Sequence, residues 1–165
     1  MALELLGTFP FDPEHQALFR AGTLVRAWAA AYPMLFSTHD VRLAHSQRTR
    51  HYFEWLAAVL LFHTQGLVSV QKYEFPGASR EKSATLRALL GAEVCDWLYS
   101  RQAQRVVQCP DLLVFNSDMS RAYFCEVKGP TDQLRLSQRE FFRELAERTG
   151  KPVKLLAFTG RKTSK

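Results

Sequence analysis

The stretch 110–128 constrains this chain more than any other. It reads Pro110-Asp111-Leu112-Leu113-Val114-Phe115, a polar segment, then Tyr123-Phe124-Cys125-Glu126-Val127-Lys128. Two apolar, β-prone runs on either side of Asn116-Ser117-Asp118-Met119-Ser120 predict a β-hairpin. A loop centred between Asp118 and Met119 sets the register, and that register places Asp111 opposite Glu126. Side chains alternate along a strand, so Lys128 shares the face of Glu126. Two carboxylates opposed across a ladder repel. The arrangement makes chemical sense when a divalent cation lies between them with the Lys128 ammonium alongside.

The rest of the chain supplies a frame for this hairpin. Apolar residues at helical spacing (Ala17, Leu18, Ala21, Leu24, Val25, Trp28) predict a helix over 12–32, ended by Pro33. A second helix is expected from about 37–40 to Gly66, basic at first (Arg42, His45, Arg48, Arg50) and apolar all round later, as a buried helix is. Residues 67–75 alternate as a strand, which Pro76-Gly77 breaks. A third helical stretch covers 79–103. After the hairpin, Ser137-Gln138-Arg139-Glu140 matches a capping box, and Phe141, Phe142 and Leu145 give the helix that follows its buried stripe. Residues 153–158 form a last strand. The predicted fold class is α/β, a mixed central sheet flanked by helices with the hairpin at its middle.

Composition removes some classes of function. With 165 residues the chain makes one domain with a real core. No apolar run is long enough to span a bilayer, no signal peptide is read at the N-terminus, and no membrane partner is expected. Cys95, Cys109 and Cys125 form no CxxC pair, which argues for reduced thiols and against structural zinc. The five histidines form no HExxH pattern. A net charge of +6 is compatible with a polyanionic partner.

Hydrolysis of a phosphodiester needs an activated water and a stabilised leaving oxyanion, and carboxylate-held metal ions supply both. Asp111 and Glu126 are the candidate metal ligands, with the Val127 carbonyl as a further one. Magnesium suits them, because it takes few protein oxygens and keeps several waters. Lys128 is placed to orient the water or to stabilise developing charge. The plain alternative is a surface hairpin with solvated acids. Glu54, on a helix turning apolar, is expensive there unless paired or metal-bound; it either joins the metal centre or pairs with Arg50 one turn back. Gln138, in the first turn of its helix, either holds water, phosphate or Lys128, or is a part-exposed polar residue. Arg42, Arg48 and Arg50 either track phosphates or form a solvated face. Arg161, Lys162 and Lys165 of the basic tail leave the same choice.

Taken together, Cys109-Pro110-Asp111-Leu112-Leu113-Val114, Glu126-Val127-Lys128-Gly129-Pro130-Thr131-Asp132 and Leu136-Ser137-Gln138-Arg139 resemble the VRR-NUC (virus-type replication-repair nuclease) domain, a branch of the PD-(D/E)xK nuclease superfamily. The resemblance implies a restriction-endonuclease-like core, taken as 41–160; residues 1–40 read as a helical extension packed on it and 161–165 as a basic tail. It also implies Mg²⁺- or Mn²⁺-dependent cleavage of DNA, often of flaps, junctions or other branched intermediates. Glu54, Asp111, Glu126, Lys128 and Gln138 would then be catalytic, and Glu54, Asp111, Glu126 and Val127 metal ligands. Arg48, Arg50 and Arg139 would contact DNA. Short members of the family look like homodimers acting on four-way junctions, and a cytoplasmic or nucleoid-associated location is expected. Either Glu54 or Glu74 is the family's upstream acid. Val107-Gln108-Cys109 stands where the family often has a Gly-rich lead. A sequence-dependent restriction-type nuclease is the enzymatic rival, and a non-cleaving DNA-binding or partner module on the same fold is the rival of another class.

Overall fold

The structure, a computed structural model, describes residues 3–71, 73, 80–104 and 108–160. Strand β1 (Glu4–Phe11) leads into helices α1 (Pro13–Arg20), α2 (Thr23–Ala31), α3 (Thr38–Ser46) and α4 (Tyr52–Gln65). Then come β2 (Val68–Gln71), α5 (Arg80–Leu90), α6 (Ala92–Ala103), β3 (Leu112–Phe115), β4 (Ala122–Lys128), α7 (Leu136–Thr149) and β5 (Val153–Gly160). The strands form one mixed five-stranded sheet in the order β1-β5-β4-β3-β2. β1 and β4 run parallel to β5, whereas β2, β3 and β4 are antiparallel neighbours. Among the described residues, no helix is long and apolar enough to cross a membrane.

The hairpin register is the expected one. Leu112 pairs with Cys125 and Phe115 with Ala122, and Asn116 N–H closes the loop on the Arg121 carbonyl at 3.2 Å. Alternation along β3 and β4 then feeds two separate cores. Leu113, Phe115 and Phe124 face α5, α6 and α7, where they meet Leu86, Leu98, Phe141, Phe142 and Leu145. Leu112, Val114, Cys125 and Val127 face the other way, onto Ala57 and Leu61 of α4. Each fully buried Leu or Phe contributes about 1.5–3 kcal/mol, so a one-residue slip would forfeit both cores at once.

Helix α4 is apolar all round because it is covered twice. Ala57 and Leu61 lie on the sheet, while Trp55, Ala58 and Val59 pack under Phe19, Val25, Trp28 and Phe36 of an outer helical layer. The Phe36 and Trp55 rings stack with centroids 3.7 Å apart. Beyond the β2 edge, a buried ion pair ties that outer layer to the opposite side of the sheet. Lys82 of α5 donates to Asp40 Oδ1 of α3 at 2.5 Å and to the Gln71 carbonyl of β2.

Several expectations are corrected. The 12–32 helix is two helices, because Gly22 takes the left-handed conformation (φ 83°) and turns the chain. The 37–66 helix also divides, at His51 (φ 71°), and 79–103 divides at Gly91 (φ 81°). The N-terminal segment is not helical throughout, since Glu4–Phe11 is an edge strand held by β5. The strand expected over 67–75 is described only as Val68–Gln71. Helix α7 is closed by Gln138 rather than Glu140: Gln138 Oε1 accepts Arg135 N–H at 3.1 Å. The break at 76–77, Glu74, Val107 and the tail 161–165 lie outside the described residues.

Candidate active site

Asp111 precedes β3 and Glu126 lies in β4, one step along the ladder from the Leu112–Cys125 pair. The two carboxyl groups lie close enough to influence each other's charge state. Asp111 Oδ2 also accepts Val127 N–H at 2.8 Å. Upstream, the phenol of buried Tyr73 donates to the Pro110 carbonyl at 2.7 Å, which fixes the backbone just before Asp111. Glu126 Oε1 takes two donors, Lys128 Nζ at 2.7 Å and Gln138 Nε2 at 3.0 Å. Gln138 is thus an adaptor: one end of its amide caps α7 and the other orients Glu126. Burial pushes the Glu126 carboxyl above its ordinary value of 4.5, against the opposing pull of Lys128, Gln138 and Asp111.

Glu54 enters from the first turn of α4 and lines the same cleft, whose volume is about 1050 Å³. Its ion-pair partner in the structure is His51, with Nδ1 3.5 Å from Glu54 Oε1, where the sequence offered Arg50. The other ring nitrogen, Nε2, is 2.7 Å from Gln47 Oε1. His51 holds a left-handed backbone conformation that costs a non-glycine residue energy, and such strain concentrates at functional sites. The turn after Lys128 closes over α4 with little room. A Cβ on Gly129 would stand 2.8 Å from Phe53 Cε2, and Gly129 N–H donates to Asp132 Oδ2 at 2.9 Å.

Every candidate acid expected from the sequence and described here, together with Val127, Lys128, Gln138 and Arg50, lines this one cleft. Arg48 and Arg139 do not: Arg48 Nε donates to the His45 carbonyl at 3.4 Å, and Arg139 is exposed on α7. Sequence reasoning missed Tyr73, His51, Gln47, Arg20 and Arg135. Among the described residues, no three His, Cys, Asp or Glu side chains form a metal cage on their own. The donor set still fits a hard divalent cation. Two carboxylates meet at the wall of an open cleft, and a cation that keeps most of its waters needs no more protein ligands.

The mixed sheet brings a Pro-Asp and a Glu-x-Lys together on one cleft, as the sequence pattern predicts. The VRR-NUC domain model matches residues 74–157, more than half of the sequence, and the chain belongs to the VRR-NUC domain family of nucleases. Among solved structures, the crystal structure of paFAN1 bound to 2nt 5′flap DNA with gap is similar at 16% identity with a TM-score of 0.41. That match covers 90% of this chain and 23% of the other, so the chain spans about a quarter of that protein's length. No curated protein matches the sequence.

Proposed function

We propose that this chain is a Mg²⁺- or Mn²⁺-dependent DNA endonuclease that selects branched substrates such as flaps and junctions. The observation that carries this reading is the placing of Asp111 beside Glu126 by the β3–β4 register, with Lys128 on Glu126, in an open cleft. Asp111 and Glu126, with the Val127 carbonyl and Glu54, would hold the metal. When bound, the metal supplies a water of lowered pKa and charge stabilisation at the leaving oxygen. The protein's own part is positioning. Gln138 and Lys128 fix the rotation of Glu126 through Oε1. The Val127 amide fixes Asp111. The Lys128 ammonium, side chain 14% exposed, is the cation that reaches the cleft from the floor, where it stabilises negative charge as it builds on the scissile phosphate.

The test is a panel of single-stranded, nicked, flapped and four-way DNA incubated in Mn²⁺, with and without chelator. Chelator-sensitive cleavage that follows branch position supports the reading. Cleavage that follows base sequence would replace it with a restriction-type enzyme, and DNA binding with no product in any metal would replace it with a binding module. Asp111→Ala and Lys128→Ala are expected to fold and not to cut. Light scattering with and without a four-way junction tests the homodimer.

A further inference from the structure

Most of the proposed nuclease residues sit at β3, β4 and α7, with Glu54 on α4, yet about half of the cleft lining comes from residues before β2. One wall is the turn from β4 into α7, ending at Arg135. Another part of the lining comes from the outer helical layer: Gln16 and Arg20 of α1, and Thr49 and Arg50 between α3 and α4. This second part lies wholly outside residues 74–157, the part matched by the family.

The charges on these two parts are not balanced in the way surface charges usually are. Arg20, Arg50 and Arg135 are exposed. None of the three makes an ion pair among the described residues. The nearby acids are already engaged: Asp132 accepts the Gly129 amide, and Glu126 holds Lys128 and Gln138. Three guanidinium groups therefore line a cleft with acids in it yet form no ion pair with them among the described residues. A planar fork of donors of that kind matches phosphate oxygens. The hydroxyl of Thr49 and the amide of Gln16 are also of the types that contact a nucleic-acid backbone without reading sequence.

We propose that the outer helical layer is a substrate-gripping wall, in which Arg20 and Arg50 hold backbone phosphates of the strand being cut while Arg135 holds it from the turn after β4. The inference rests on the nuclease reading and extends it. It gives the N-terminal layer a role in binding, and it transfers the phosphate contacts from Arg48 and Arg139 to Arg20 and Arg135.

The test is fluorescence anisotropy of a labelled single-stranded oligonucleotide and of a labelled flap, in EDTA so that nothing is cut, across a range of salt. The Arg20→Gln/Arg50→Gln double variant is expected to raise Kd about tenfold or more. For the single strand it should flatten the slope of log Kd against log salt by about 1.4, two contacts at ~0.7 each. Arg87→Gln, on the far helix α5 and paired with Asp96, is expected to leave both quantities unchanged. Arg20→Lys in the single-variant series should recover part of the affinity, as a point charge does on phosphate. Circular dichroism checks that the variants stay folded. Wild-type binding that the double variant reproduces in both Kd and salt slope would overturn the grip alone. Absence of binding by the wild type would overturn the nuclease reading together with it.

Discussion

Among the described residues, one buried and one part-buried lysine–carboxylate pair stand in contrast, and they are built for opposite ends. At the β2 edge, Lys82 meets Asp40 with side chains 7% and 1% exposed; in the cleft, Lys128 meets Glu126 at 14% and 3%. The first pair is closed. Asp40 Oδ2 takes the Ser37 amide and hydroxyl, its Oδ1 takes Lys82, and Lys82 goes on to the Gln71 carbonyl. The second pair is open. Both donors to Glu126 converge on Oε1, and a second carboxyl, Asp111, sits against it with a cleft beyond. A closed pair welds elements together, whereas an open one keeps charge in reserve for something not yet bound.

The same substitution made in each pair breaks this comparison most sharply. Lys82→Met strands Asp40 in a dry site and is expected to cost about 3–5 kcal/mol by denaturant titration, with the folded fraction still cutting a flap but discriminating less against intact duplex. Lys128→Met is expected to do the reverse: cleavage falls by about 10²–10³-fold in single-turnover assays, while the denaturant midpoint moves little. Glu126→Gln refines the point, since burial holds that carboxyl above 4.5 in the folded protein. The folded state then binds the proton more tightly than the unfolded state does, so ionisation costs stability as pH rises from about 4.5 towards the raised folded value. In chelator, the Gln variant is expected to melt higher than wild type, with an advantage that grows with pH across that window, and not to cut. A variant that melts lower at neutral pH would mean that Glu126 is held as firmly as Asp40. The smallest effect belongs to Lys154–Glu4, a rim pair with side chains 21% and 62% exposed; Lys154→Ala is expected to change stability by under ~1 kcal/mol.

What could be seen in the sequence follows the range of the interactions involved. The β3–β4 register was legible because its two strands are joined by a short loop and their apolar pattern permits one alignment. Through that register the Asp111–Glu126–Lys128 grouping was legible too. Gln138 could be placed at a helix start, but its double duty could not, because Glu126 is reached only once α7 packs on the sheet. The breaks at Gly22 and His51 were missed because the apolar spacing runs on through them. Strand β1 was missed for a different reason. Its partner β5 lies at the other end of the chain, with Glu4 opposite Lys154, and Gly7 and Pro10 weaken its local strand signal. The Asp40–Lys82 weld has the same character, as nothing local to either residue announces the other. Arg20 and Arg135 are ordinary surface arginines until the fold sets them on one cleft.

The weld at the β2 edge also bears on how the cleft works. It fastens α3, and with it the layer that carries Arg20 and Arg50, to a strand and helix of the catalytic half. Parting that junction would expose two dehydrated charges, a cost that opposes any widening of the cleft. On the proposed reading, a rigid cleft would leave the bending to the nucleic acid. Intact duplex is stiff and resists, whereas a nick, a flap or a crossover already contains a joint. Branch preference would then come from the compliance of the substrate, with no residue needed to recognise a branch.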